Sequence, residues 1–527
     1  MDNVSTIKAE KPVVPRHAII GIVAVCLAAI NSSLTSGLIS AGLEDLRGAW
    51  HLGIDDAAYV PTAFNAAQMF MGPVSIMLAA RFGHRSVLLV AGVIYIISNL
   101  LLPFTPHIVP ILILLVIGGL ASGTFYPLVL SFITRNLPLT MVTYGVAAYN
   151  LDLLGTNHLI QSLESFYMNH ASWHWLFWNQ CLFSIPLLLG VYFGIPRTPK
   201  DQLLPRFSYR GILYMSNALT LFYIAMDQGE RLDWFNNGLI NGLFIGAAIM
   251  FVAAIIRHIY APNPFLDFKY LRNRNILILG LLLVSFRVTL LRTNLLLPQF
   301  LESLHQYRSG EIGNLDLLSV IPFLIAMPIV ASLLNKVEAR VIMLVGYVLL
   351  GVINFNDAHA LSTWIATDFA PSQLWGVVGI SLVSMGVMSG TVFEGRMTGA
   401  YRNRAGAYVQ GAFFQVVRLF GGQTTTSAMR RFILVREHFW QTHLVSGTAY
   451  FSQFENRVEH LSTALTSQAA SVGNAAGIAL GLTAKNVQQQ AFTFAIDDSF
   501  MMLAWVAVIG LIGVAMMQKT PLPKDLP

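Results

Sequence analysis

Apolar residues arrive along this chain in long blocks separated by short polar breaks, as from Ala18 to Ile30 and from Ile111 to Gly119. A helix crosses a bilayer with about 20 predominantly apolar residues. The blocks predict fourteen such spans, at 18–40, 57–79, 86–105, 109–133, 140–164, 173–195, 210–226, 238–256, 275–300, 310–334, 339–356, 372–395, 405–429 and 497–517. An even number puts both termini on one side. One sizeable polar stretch, residues 437–496, interrupts the pattern. Within it Phe451, Phe454, Val458, Leu461 and Leu465 recur at alternating spacings of three and four, which predicts a helix with one apolar stripe. Such a helix either lies on the outer face of the bundle or presents a docking surface.

Composition fixes the class. Hydrophobic residues make up 55% of the 527 and charged residues 11%, against roughly 25% charged in soluble domains, too few to cover a soluble fold. Of the 32 Lys and Arg, 21 fall on the side of the termini, among them Arg81, Arg85, Arg197 to Arg210, Arg257 to Arg274 and Arg396 to Arg404. Eight fall on the other side, five of them around the 437–496 loop, and long loops cross the membrane largely regardless of charge. Both termini are therefore expected in the cytoplasm, with the first apolar stretch too long for a signal peptide and retained as a helix. These anchors account for the net charge of +6 without nucleic acid as a partner. Cys26 and Cys181 lie in apolar spans, so neither a disulfide framework nor a thiolate metal site is expected. There is no G-x-x-x-x-G-K-[S/T] loop and no H-E-x-x-H, which argues against ATP drive within the chain and against a metallohydrolase. No cofactor is expected.

Polar groups in the bilayer are costly and mark functional surfaces or structural pairs. Counting along the spans puts Asp152, Arg287 and Arg418 near mid-depth with Asn31, Glu164 and Arg292 toward the outside, and Glu394 near the cytoplasmic edge. On an unbroken helix Thr143, Asn150, Asn157, Gln161 and Glu164 form one polar stripe of the fifth span, with Asp152 pointing away from it. Arg287 and Asn294 share a face of the ninth span; Gln415, Arg418, Gly422 and Thr425 share one of the thirteenth. Asp152 is then the one carboxylate near the midplane against two arginines, a balance that suits anionic amphipathic solutes. Asp152 serves either to carry a proton or to pair with a neighbouring helix, with Glu164 and Glu394 as the next titratable candidates.

With the spans placed, several stretches resemble the major facilitator superfamily, specifically its fourteen-span drug:proton antiporter branch, the EmrB/QacA-like proteins. Pro73-Val-Ser-Ile-Met-Leu-Ala-Ala-Arg81-Phe-Gly83-His-Arg85 resembles the family's loop between its second and third helices. Ser172-Trp-His-Trp-Leu-Phe-Trp-Asn179, Gln228-Gly-Glu-Arg-Leu-Asp-Trp-Phe235, Leu271-Arg-Asn-Arg-Asn275 and Leu297-Pro298 come after it in the family's order. The resemblance implies an all-α integral membrane protein with the major facilitator fold: a six-helix bundle over 1–195, two extra helices over 196–274, and a second six-helix bundle over 275–527 carrying the 437–496 insertion. It implies a secondary transporter exporting small amphipathic or drug-like molecules across a bacterial inner membrane by proton antiport. Arg81, Gly83 and Arg85 would form a cytoplasmic gating loop, and Asn31, Asn150, Asn157, Gln161, Arg287, Asn294, Gln415 and Arg418 would line the solute cavity. A periplasmic adaptor leading to an outer-membrane channel is implied as partner of the long outer loop.

The chain also departs from that pattern. Asn31-Ser-Ser-Leu-Thr-Ser36 stands where the family's first helix carries an acid, Leu115 where its fourth carries an arginine, and Ala80 where its loop carries an acid. Its Gly- and Pro-rich fifth-helix motif appears as Thr156-Asn157-His-Leu-Ile160-Gln161-Ser-Leu-Glu164-Ser165. A transport-dead sensor is therefore the alternative reading, and a lipid-modifying membrane enzyme a more distant one.

Overall fold

A computed structural model describes residues 16–137, 139–197, 209–260, 273–397, 404–448, 452–467, 472–520 and 522. Among them the chain forms fourteen long helical rods, two shorter α-helices at Leu43–Ala49 and Ser452–Ser467, and no strand. The rods are α1 (Arg16–Ala41), α2 (Ile54–Phe82), α3 (His84–Leu101), α4 (Ile108–Ser122, resumed at Phe125–Asn136) and α5 (Leu139–Asn150 and Asn157–His170, joined by a π turn at Leu151–Gly155). Next come α6 (Trp175–Gly194), α7 (Tyr209–Gly229), α8 (Gly238–Ile259) and α9 (Arg274–Thr289 and Leu297–His305, with a π turn at Arg292–Leu296). The last five are α10 (Ser309–Leu334), α11 (Ala339–Asp357), α12 (Ala366–Met397), α13 (Arg404–Thr448) and α14 (Val472–Met516).

Among the described residues eleven helices are long and apolar enough to cross a membrane. The other three rods are α5, α7 and α13. The second part of α5 shows why: Asn157, His158, Gln161, Glu164, Asn169 and His170 crowd into 14 residues. Lipid would not tolerate such a face, so it is turned onto other helices: α5 packs on α10 and α1.

The loop between α2 and α3 turns on Gly83, whose φ of 82° and ψ of 151° lie in a region essentially reserved for glycine. Gly83 is the sole glycine with positive φ among the described residues. Arg81 is exposed beside it, while Arg85 folds back over the Tyr192 ring at 4.5 Å.

The tryptophan-rich stretch before α6 closes one end of the first bundle. Trp173 packs edge-on to Trp50 at 5.6 Å, Trp50 lies 5.7 Å from Phe177, and Leu34, Leu38, Phe64 and Leu176 complete that cluster. We call this the outer end of the molecule.

The two extra helices α7 and α8 pack on each other, and α7 lies against both α2 and α13. Its outer turn is tied to α2 by Gln228, which donates to Thr62 at 2.6 Å, and by Arg231, 2.8 Å from Asp55. Glu230 reaches α13 through Arg431 at 2.9 Å.

The 437–496 segment differs from a loop. Its described residues are helical: α13 continues to Thr448, a helix covers Ser452–Ser467, and α14 begins at Val472. Each 45-residue rod is about 67 Å long at 1.5 Å per residue, over twice the roughly 30 Å of hydrocarbon. Hydropathy marks where a helix meets lipid, not where its backbone hydrogen bonding stops. The Ser452–Ser467 helix packs along α14, and its Val458 and Leu461 are half-buried. Arg436 and Trp440 both donate to Asp498 of α14, at 2.7 and 2.6 Å, fastening the base of the pair. Of the predicted stripe, Phe451 lies outside the described residues, as do the side chains of Phe454 and Leu465.

Candidate functional site

The two six-helix halves meet along two seams, α5 against α10 and α2 against α13. The first can be traced step by step as an antiparallel pair. At one end Thr143 donates to Asn335 at 3.2 Å. In the middle a Cβ placed on Gly155 would touch the Phe323 ring at 3.7 Å, and the His158 ring lies 6.0 Å from that of Phe323. Farther out, a Cβ on Gly313 would lie 2.7 Å from the Ser162 nitrogen, and one on Gly310 only 2.4 Å from Ser165 Oγ. The outer half of the seam is thus a glycine-against-serine contact, strictest at Gly313, where a side chain would meet the Ser162 backbone.

At its centre a line of buried polar groups crosses from one half to the other. His158 of α5 and Asp316 of α10, 5% and 4% exposed, face each other with Nδ1 and Oδ1 3.9 Å apart. Asp316 accepts from Gln373 of α12 at 3.3 Å, and Gln373 accepts from Arg292 of α9 at 2.7 Å. Arg292 donates through Nε and Nη2 to Asp357 of α11, at 2.9 and 2.7 Å, and through Nη2 to Ser372 at 2.7 Å. Arg292 and Asp357 are buried to 1% and 0% exposure. A charge so placed persists only when paired and hydrogen-bonded, and this arginine is.

Proline accounts for the break in α9 that begins at Arg292. Pro298 has no N–H for the carbonyl of Asn294 four residues back, the usual cause of a break in the helical ladder. The π turn at Arg292–Leu296 immediately precedes it.

The π turn of α5 overturns one expectation. The polar stripe assumed an unbroken helix, but a π turn inserts about one residue and rotates the rest of the helix by roughly 100°. Asn150 faces α12, where its Nδ2 is 3.3 Å from Met385 Sδ. Beyond the turn His158 lies on the α10 seam, with Asn157 and Gln161 half-buried beside it. Glu164 meets Asp45 of the short helix Leu43–Ala49 and Ser309 at the start of α10.

The other predicted residues are dispersed over both halves. Asn31 is fully buried inside the first half, its amide 3.2 Å from Ser184 of α6. Asp152 sits in the π turn against Cys26 of α1, away from Arg287. Arg287 is half-buried over α13, where a Cβ on Gly422 would come within 2.4 Å of its Nη2. Asn294 is exposed, on the far side of the start of the π turn from Arg287. Glu394 accepts from Asn275, whose Oδ1 accepts the Gln518 N–H at 2.9 Å, so it ties α12 to α9 and the end of α14. The side chains of Gln415 and Arg418 lie outside the described residues.

Nearer the outer end the sequence count is incomplete. Asp316 and Asp357 add two buried carboxylates, and Arg292 is committed to one of them. A lone acid two turns into an apolar span was a readable signal for Asp316; that His158 would oppose it was not.

Outside the spans, Glu338 fastens the α10–α11 turn. Its burial works to raise the carboxyl pKa, but Arg340 at 2.6 Å, the Thr520 N–H at 2.8 Å and the nearby Lys519 charge outweigh that and hold it below the usual range.

Comparison with known proteins agrees with this architecture. The Major Facilitator Superfamily profile matches residues 23–422. The chain is 22% identical over 355 residues to the probable multidrug resistance protein EmrY of Escherichia coli, covering 66% of this chain and 67% of that one. It is 20% identical over 495 residues to the multidrug export protein EmrB of Haemophilus influenzae, covering 93% of each. Among solved structures the proton:xylose symporter XylE aligns with a TM-score of 0.58 at 12% identity, over 97% of this chain and 98% of that one. The human organic anion transporter MFSD10 aligns at 0.54 and 11%, over 96% and 100%. With two six-helix halves meeting at seams that a buried polar network crosses, and with the family profile spanning most of its length, this multi-pass membrane protein belongs to the major facilitator superfamily of transporters.

Proposed function

We propose that this chain is a proton-driven exporter of small amphipathic molecules in a bacterial inner membrane, with both termini in the cytoplasm. The observation that carries the reading is the pair of seams: the halves are joined by contacts that rocking can remake, and the buried charged network sits at one of them. Relatives named for multidrug export support the direction and the solute class. Arg287, held over the glycines of α13 and permanently charged, is the residue that would favour an anionic group on the solute. Arg81, Gly83 and Arg85 form the gating turn at the inner end, and the helices beyond the membrane offer a surface for a periplasmic adaptor.

Purified protein in liposomes provides the test. An imposed proton gradient should drive accumulation of an anionic amphipathic dye such as anilinonaphthalene sulfonate, and Arg287→Gln should weaken it several-fold while sparing a cationic dye such as ethidium. Absence of gradient-driven movement of either dye, from protein that is folded and monodisperse, would favour the sensor reading instead.

A further inference from the structure

We propose that the His158–Asp316 contact is the protonation site that couples the proton to closure of the outer seam. This rests on the reading of the chain as a proton-driven exporter, and names the site of that coupling.

Charge counting carries the inference. Asp316 faces His158 from α5 and Gln373 from α12, and through Gln373 it is joined to Arg292 from α9, which holds Ser372 from α12 and Asp357 from α11. Asp152 faces α1 and Glu164 lies farther out against Asp45, so neither enters the cluster. With histidine neutral, one arginine is set against two carboxylates, and a cluster this buried holds a full uncompensated negative charge. Taking up a single proton neutralises it, whether the proton settles on the imidazole or on the carboxyl. Burial strongly favours the neutral arrangement. The arginine cannot supply the adjustment, because it is always charged and already bound by Asp357. Asp357 is held ionised by two hydrogen bonds from Arg292, which leaves the proton to His158 and Asp316, on opposite sides of the seam.

Position turns this into coupling. His158 belongs to the first half and Asp316 to the second, and the glycine-serine contacts lie just beyond them toward the outer end. While the proton is bound between imidazole and carboxylate, the cluster is neutral, the two groups attract across the seam, and the outer seam closes. When it leaves, a bare carboxylate remains in a dry seam, and the state that admits water there becomes the more stable. The proton is taken up from the outer side as the outer seam closes and is released to the cytoplasm once the halves open inward, so no other reactant is needed.

The test reads the distance between the halves directly. Spin labels at Asp56→Cys and Thr363→Cys, on exposed outer positions of the two halves, would be placed in a background with Cys26→Ala and Cys181→Ala. In liposomes, raising the pH should lengthen the inter-label distance along a single titration. Asp316→Asn, which leaves only the neutral Arg292–Asp357 pair, should hold the short distance at every pH, and Asp316→Glu should restore the response. His158→Gln should move the midpoint to lower pH by about one unit, a tenfold change in proton concentration.

A pH response in Asp316→Asn equal to that of the parent, or no response in the parent, would overturn the proposal. If Asp316→Asn does not fold, His158→Gln decides, and an unmoved midpoint would overturn it. Loss of dye export with the pH-dependent distance intact would remove the exporter reading and leave this site standing.

Discussion

Arg292 and Asp357 show how unevenly single residues contribute here. Each is buried and bound to the other, so truncating one leaves the other charged in a dry interior, a cost of about 3–5 kcal/mol. Replacing both by apolar residues of similar size removes that penalty. Asp357→Ala should therefore lower the thermal midpoint of the detergent-solubilised protein steeply, while Arg292→Met with Asp357→Leu should recover most of the loss. A double variant as unstable as the single one would mean that the pair organises the helices around it. Glu338 works in the opposite setting, near solvent. Its depressed pKa means that its stabilising contribution is present above the ordinary glutamate range and is lost as pH falls through the lowered value. Glu338→Gln should flatten that acid limb of a pH–stability profile and leave neutral pH comparatively unchanged; an acid limb as steep as the parent's would place the loss elsewhere.

Among the elements, what the sequence made legible was the set of spans, because each is a local run of apolar residues. Most predicted spans coincide with a helical rod to within a few residues at each end, while α13 runs on to Thr448 rather than stopping at 429, and α14 starts at Val472 rather than at 497. Contacts that depend on helix phase or on distant partners were not legible. The π turn in α5 rotates Asn157 and His158 away from where an ideal helix puts them, Arg292 finds its carboxylate on α11, and Asp316 meets His158 across 158 residues of chain. The α5–α10 seam gives this scale its own test. A side chain at Gly313 must displace the Ser162 backbone, whereas one at Gly477 meets nothing within 4 Å. Gly313→Val should pry the outer seam apart and cut dye transport at least tenfold with the protein still inserted, and Gly477→Val should leave transport near the parent level. Normal transport by Gly313→Val would show that the seam tolerates widening.

At the scale of the whole molecule, the proposed orientation puts the Ser452–Ser467 helix outside the cell membrane. A cysteine at the exposed Thr463 should react with an impermeant maleimide added to spheroplasts, and labelling only in inverted vesicles would reverse the topology. If an adaptor docks on this region, polar substitutions at Val458 and Leu461 should reduce export in cells but not in liposomes, and equal loss in both would assign those residues to packing on α14. That packing has a mechanical meaning. Because α14 is one unbroken helix from Val472 to Met516, it acts as a stiff lever: tilting a rod of about 67 Å by about 10° sweeps one end some ~12 Å relative to the other. Small rotations of the second half within the bilayer would thus be delivered, enlarged, to whatever the far tip touches.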